Sequence, residues 1–262
     1  MNVAVLLDTY SGHLFHDLEL FIFLYEKTNM SNFKISNIDF INLVPDSKFH
    51  NPIILNRNHV LCKKLFNTTF NLIADYNADK YHLIIDRNKL DHKNINKAFA
   101  MSIYNFPEIN WVKSLSPNNP SRRLKILYTS RQNTNRRLTE DSHLFLTNLV
   151  KTYNGTICED LSMYPIEEQI ELFRSHNCVI GVHGNNLTGI MWMNPSSHIF
   201  EILPFEFKQD VYDYHCMSLC MKHNYTQINC IGEYLHYIMD IDNSSRKLLE
   251  CHLHMLFNIM RD

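Results

Sequence analysis

Residues 178–204 read CVIGVHGNNLTGIMWMNPSSHIFEILP, and the fold is decided in this stretch. Cys178–Val182 is a continuous apolar run, the pattern of a strand buried on both faces. His183, Gly184 and Asn185 break the run as a turn. The residues after the turn are expected to form a helix to about Trp192, and residues 197–203 return to a strand. Strand, turn, helix and strand in succession predict a unit of a parallel sheet.

The same rhythm extends upstream. Residues 124–129 (LKILYT) and 155–158 read as strands. Residues 141–153, with Leu144, Leu146 and Leu149 among the apolar positions, read as a helix. Residues 165–175 read as another, with Pro165 placed near its start. In the first half, residues 2–7, 33–44 and 81–86 read as strands. Ile35, Ile38, Phe40 and Ile41 supply the β-forming residues of the second. Residues 13–27 read as a helix with Leu14, Leu18, Phe21 and Leu24 at helical spacing. Residues 114–123 (SLSPNNPSRR) have two prolines and almost no core-forming side chains, so they are expected to be a linker. The expected architecture is therefore α/β. Two Rossmann-like halves, residues 1–115 and 124–262, would face each other across a cleft.

Bulk properties narrow the function classes. The chain has 262 residues, 45% apolar and 20% charged, with a formal net charge of −2. This is the composition of an ordinary globular protein, and the balance of charge excludes bulk electrostatic binding to nucleic acid or an anionic membrane. The 7 cysteines form no C-x-x-C pair, which fits reduced thiols. The opening MNVAVLLDTYSGHLFHD shows no basic segment leading into an apolar core, and the apolar run near it is too short for a membrane span. A cytoplasmic location without a membrane span is expected on these grounds.

Ligands of open parallel sheets sit beyond the carboxyl ends of the strands. His183 and Gly184 stand at such an end and open a helix, whose first N–H groups and positive dipole end suit a diphosphate. His183 can donate to a phosphate or ribose oxygen, Asn185 can cap the helix, and Thr188 adds a hydroxyl. Glu201, a lone acid in an apolar strand, needs a partner to be buried and could accept from ribose hydroxyls. The strand at 124–129 ends in Ser130-Arg131, followed by Arg136-Arg137. Guanidinium groups match phosphate geometry, and Arg131 is the preferred diphosphate clamp. Metal ligation has weaker support. Asp240-Ile241-Asp242 is a literal D-x-D but reads as a turn before the last helix. His215, Cys216 and Cys220 are too few for a full ligand set. No metal site and no tightly bound cofactor are expected. A G-x-G-x-x-G turn after an early strand, which a dinucleotide-dependent enzyme would need, is missing.

Residues 159–204 resemble family 61 glycosyltransferases, which are GT-B enzymes related to eukaryotic O-linked N-acetylglucosaminyl- and xylosyltransferases. The likeness runs through the acidic-Leu-Ser opening, the Glu-Gln-Ile helix, V-I-G-x-H-G-x-x-L-T, Met-x-Pro and the strand ending Glu-Ile-x-Pro. YTSRQNTNRRL resembles the family's basic segment, and GHLFHDLELFIFLYE resembles its H-x-x-x-D helix through His13 and Asp17. The resemblance implies a GT-B-like pair of domains with a reduced N-terminal half. It also implies inverting transfer of a hexose or pentose from a nucleotide-sugar, expected to be a UDP-sugar, to a hydroxyl of a glycan or protein acceptor. By the same likeness, His183, Gly184, Leu187 and Thr188 match the donor loop, Glu201 the ribose-side acid, and Arg131 with Arg136 or Arg137 the basic segment. One departure stands out: the family usually has Gly before the Leu-Thr pair, and here it is Asn186. That departure keeps open an alternative, a degenerate member that binds a nucleotide-sugar or glycan without transfer. For the acceptor proton, His13 and Asp17 lie four apart on one helical face and can act together, and either could be the base. Asp8, at the end of the first strand, is the other option, and His16 is placed less well.

Overall fold

A computed structural model describes residues 2–6, 17, 20–21, 24, 34–41, 52–73, 77–86, 123–134, 136–204, 213–231 and 238–260. The chain divides into two compact units, Met1–Trp111 and Val112–Asp262. Most of the linker expected at 114–123 lies outside the described residues.

The first unit holds a four-stranded sheet of β1 (Asn2–Leu6), β2 (Asn37–Ile41), β3 (Phe70–Ile73) and β4 (Leu83–Asp86). The order is β3-β2-β1-β4 and every pairing is parallel. Order 3-2-1-4 is that of a doubly wound sheet. Val3, Ala4 and Val5 are fully buried, as is expected of a central parallel strand. Helix α1 (Pro52–Phe66) connects β2 to β3. Asp17, Leu20, Phe21 and Leu24 are helical and buried, on the i, i+3, i+4, i+7 face that periodicity predicts. Phe21 packs edge-on against Phe40 of β2 at 6.1 Å between centroids, and Phe40 against Phe70 of β3 at 4.7 Å.

The second unit is built on β5 (Ile126–Thr129), β6 (Arg137–Leu138), β7 (Thr156–Cys158), β8 (Cys178–Val182), β9 (His198–Pro204), β10 (Asn224–Ile231) and β11 (Ile238–Ile241). Their order is β6-β11-β10-β9-β8-β5-β7. The run from β7 to β10 is parallel throughout, while β11 joins β10 antiparallel and β6 joins β11 parallel. Counted along the chain, β7-β5-β8-β9-β10 is the order 2-1-3-4-5, whose direction of winding reverses between β5 and β8.

Helices α2 (Glu140–Thr152), α3 (Ile166–Arg174), α4 (Asp213–Cys220) and α5 (Asn243–Ile259) complete the unit. In α2 the buried apolar residues are Leu146 and Val150, while Leu144 is exposed. Thr139 caps this helix by accepting from the Ser142 N–H at 3.2 Å. Asp240 is a structural acid. It accepts from Thr139 and Ser142 at 2.8 and 2.6 Å and from Arg246 at 3.2 Å, and these hydrogen bonds hold its carboxyl below the ordinary carboxylate range. Asp242 caps α5 through the Ser245 N–H at 2.7 Å. The D-x-D thus begins in a strand and ends as a helix cap. The core gathers Ile126, Tyr128, Ile180, Val182, Phe200 and Ile202 of the sheet with Leu249 and Leu253 of α5.

Candidate functional site

The winding reverses between β5 and β8, and in open α/β sheets ligands bind at the carboxyl ends of the strands at such a point. The residues there are Ser130-Arg131 after β5 and His183-Gly184 after β8. The chain after Gly184 forms the expected helix, Asn185–Trp192, wound as a 3-10 helix. An added Cβ on Gly189 would collide with the ring of Phe173 in α3, so the helix lies too close to α3 to carry any side chain there.

Gly184 has φ 140° and ψ −175°, a conformation that L side chains rarely adopt. The bare backbone has a second use. A Cβ here would fall on Nη1 and Cζ of Arg131, so the guanidinium lies directly against Gly184. Arg131 and the loop glycine, read separately in the sequence, form one contact. The surrounding loop is tied down. The Ser130 N–H donates to the Cys158 carbonyl at 2.9 Å, and the Thr134 hydroxyl donates to the Arg131 carbonyl at 2.9 Å. Gln132 brackets Leu138, accepting from its N–H at 3.0 Å and donating to its carbonyl at 3.3 Å.

Asn186 is accommodated without strain. It is not among the residues with positive φ, which among the described residues are Gly184, Asn67, Asn154, Ser196 and Lys222. Its amide donates to the Ser130 carbonyl at 3.1 Å and so ties the 3-10 helix to the end of β5, which no glycine could do. Leu187 and Thr188 are fully buried. Leu187 packs toward Gly181 of β8, whose added Cβ would lie 2.7 Å from Leu187 Cδ2. These two side chains hold the loop to the core, and the strand ends receive its backbone.

Arg136 and Arg137 follow a few residues on. After β5 the chain rejoins the sheet as β6, the edge strand opposite β7, where Arg137 is exposed. Arg136 is half-buried, and its carbonyl accepts from the Thr134 hydroxyl at 3.2 Å.

Glu201, in β9, is buried, and both carboxylate oxygens are engaged. Oε1 pairs with His183 Nδ1 at 2.6 Å, and Oε2 accepts from the Tyr225 hydroxyl of β10 at 2.5 Å. Burial, and then the charge of Glu201, push the Tyr225 phenol well up, so it stays a donor. The ring of Tyr214 meets His183 at 65°, with centroids 5.3 Å apart, and His215 stacks on Tyr225 at 4.7 Å. Sequence reading misses Tyr214 and Tyr225, because they join Glu201 only through strand register and the docking of α4.

In the first unit Asp17 is buried beside Arg57 and Asn58 of α1. Its Oδ2 accepts from Arg57 Nη2 and, at 3.0 Å, from Asn58 Nδ2. His13, Asp8 and His16 lie outside the described residues. Among the described residues, no group of three or more His, Cys, Asp or Glu is arranged to hold a metal ion. No helix among them is long and apolar enough to cross a membrane.

The model of the Glycosyltransferase 61 family matches residues 11–200. The chain belongs to glycosyltransferase family 61. The match takes in Asp17, Arg131, His183, Gly184 and the whole 3-10 helix, and it stops one residue before Glu201. Family membership makes the chain a transferase acting on a sugar donor and an acceptor. A search of curated proteins finds no match.

Proposed function

We propose that this family 61 member transfers a sugar from a UDP-sugar to a hydroxyl of a glycan or protein with inversion, and that the donor diphosphate sits at the carboxyl ends of β5 and β8. The observation that carries this reading is the Arg131 guanidinium laid on Gly184 at the point where the sheet reverses. A planar cation, a glycine without a side chain and the start of a helix together suit a diphosphate. Charge that develops on the departing diphosphate would be met by groups already in place, which is commonly a large share of catalysis. The strand orders of the two units, each taken by itself, fit the two-Rossmann reading of a GT-B enzyme.

For the acceptor proton we assign His13 as base, with Asp17 as its support. Asp17 is buried and already holds Arg57 and Asn58, which suits it to orient a neighbour more than to meet an acceptor. The reading is tested by incubating the protein with a panel of UDP-sugars and hydroxyl acceptors and following UDP release and product anomers. A product of inverted configuration that is lost in His13→Ala and Arg131→Ala supports it. A product of retained configuration, or UDP-sugar hydrolysis that no acceptor accelerates, counts against it.

A further inference from the structure

The network around Glu201 goes beyond a grip on the nucleotide. A carboxylate this buried requires its lone pairs to be met. Here one oxygen is met by His183 and the other by Tyr225, at the short distances of charge-assisted hydrogen bonds. The remaining lone pairs of Glu201 are buried with it. His183 is the member at the strand end, beside Gly184. Its ring is held by Glu201 at Nδ1 and by the edge-to-face contact with Tyr214. Tyr225 is held in turn by the stack with His215, so α4 braces both rings.

We infer that Glu201 and Tyr225 are positioning residues for His183, fixing its ring with Nδ1–H on Glu201 so that Nε2 is the nitrogen that meets the donor's phosphates, to which it donates in the imidazolium form. Fixing a tautomer through the hydrogen bond at the other ring nitrogen is a general device of histidine chemistry. The assignment rests on the donor site proposed above. It differs from a ribose-binding role in what Glu201 touches: Glu201 acts through His183.

The test joins a spectroscopic signature to a selectivity ratio. Ring nitrogen-15 shifts of the full-length protein are recorded at a pH that leaves His183 neutral, with the signal assigned by its loss in His183→Gln. The Nδ1–H form is expected in wild type and the Nε2–H form in Glu201→Met, with a mixture in Tyr225→Phe. Affinities for UDP and 2′-deoxy-UDP are then measured by calorimetry. Tyr225→Phe is expected to weaken both by about fivefold, roughly what one net hydrogen bond supports, and to leave their ratio unchanged. Tyr225→Phe keeps the ring and so guards against a failure to fold in Glu201→Met. An unchanged tautomer in both variants overturns the inference. So does a wild-type preference for UDP over 2′-deoxy-UDP that disappears in Glu201→Met. A wild type that binds no UDP overturns the donor reading instead, and the tautomer arm still decides whether Glu201 and Tyr225 position the ring.

Discussion

Gly184, just past the end of β8, tests the proposed donor site at a single side chain. In Gly184→Ala the backbone must hold a side chain at φ 140°, and the new methyl must push Arg131 away. The strain alone is expected to cost about 1–3 kcal/mol. Displacement of the guanidinium is expected to weaken UDP binding roughly tenfold or more, the scale of a hydrogen bond to a charged group. Thermal melts and calorimetry read the two effects separately. An alanine variant that binds UDP as wild type does would detach Arg131 from the phosphates. Asp17 poses a different test, because its partner Arg57 is also buried. Asp17→Ala leaves a buried guanidinium without its carboxylate and is expected to cost about 3–5 kcal/mol, read from the urea midpoint. Asp17→Asn keeps an acceptor oxygen and is expected to fold. If it lost stability as fully as Asp17→Ala, the carboxylate's role would be structural alone.

At the scale of elements, the 3-10 helix is gripped at both ends. Toward its carboxyl end His223 donates from Nε2 to the Ile190 carbonyl at 3.0 Å, and burial pushes this imidazole down to about 4 from its ordinary 6.5. As pH falls the unfolded chain takes up that proton first. The stability held by neutral His223 is therefore complete above about 6.5 and is lost as pH drops toward 4, to an extent of about 3 kcal/mol. Urea denaturation at a series of pH values should show this slope, and His223→Gln should flatten it. Gly189→Ala drives a methyl into the Phe173 ring and is expected to cost about 1–3 kcal/mol by overpacking. The contrast between β8 and α1 shows what periodicity could reveal. β8 was legible to the residue, because a buried parallel strand is a bare apolar run. Helix α1 was not, because its inward stripe includes Arg57 and Asn58, polar residues that donate to the distant Asp17. β10 was missed for a related reason: Tyr225 and Gln227 occupy the face next to Glu201, so the strand lacks a clean apolar alternation. The helix after Gly184 was located, but its close packing on Phe173 at Gly189 is a contact between distant elements that no local pattern encodes.

For the whole molecule, the core residues of Val112–Asp262 come from within that unit, from Ile126 on β5 to Leu256 on α5. A chain of Val112–Asp262 alone is therefore expected to melt cooperatively and to keep UDP affinity within roughly tenfold of the full protein, since such units commonly fold by themselves. A noncooperative melt would show that the unit depends on the rest of the chain. The residues proposed to hold the donor could be brought together from the sequence because they fall at two strand ends of one sheet. The contact between Arg131 and Gly184 was not, since it arises only when β5 and β8 become neighbours. That contact is the centre of the account, and isothermal titration of UDP, GDP, CMP and dTDP into wild type and Arg131→Ala tests it most directly. Selective UDP binding in wild type that is lost in a folded Arg131→Ala protein is the expected result. UDP binding unchanged by the substitution, or a well-folded wild type that binds none of the four nucleotides, would contradict it.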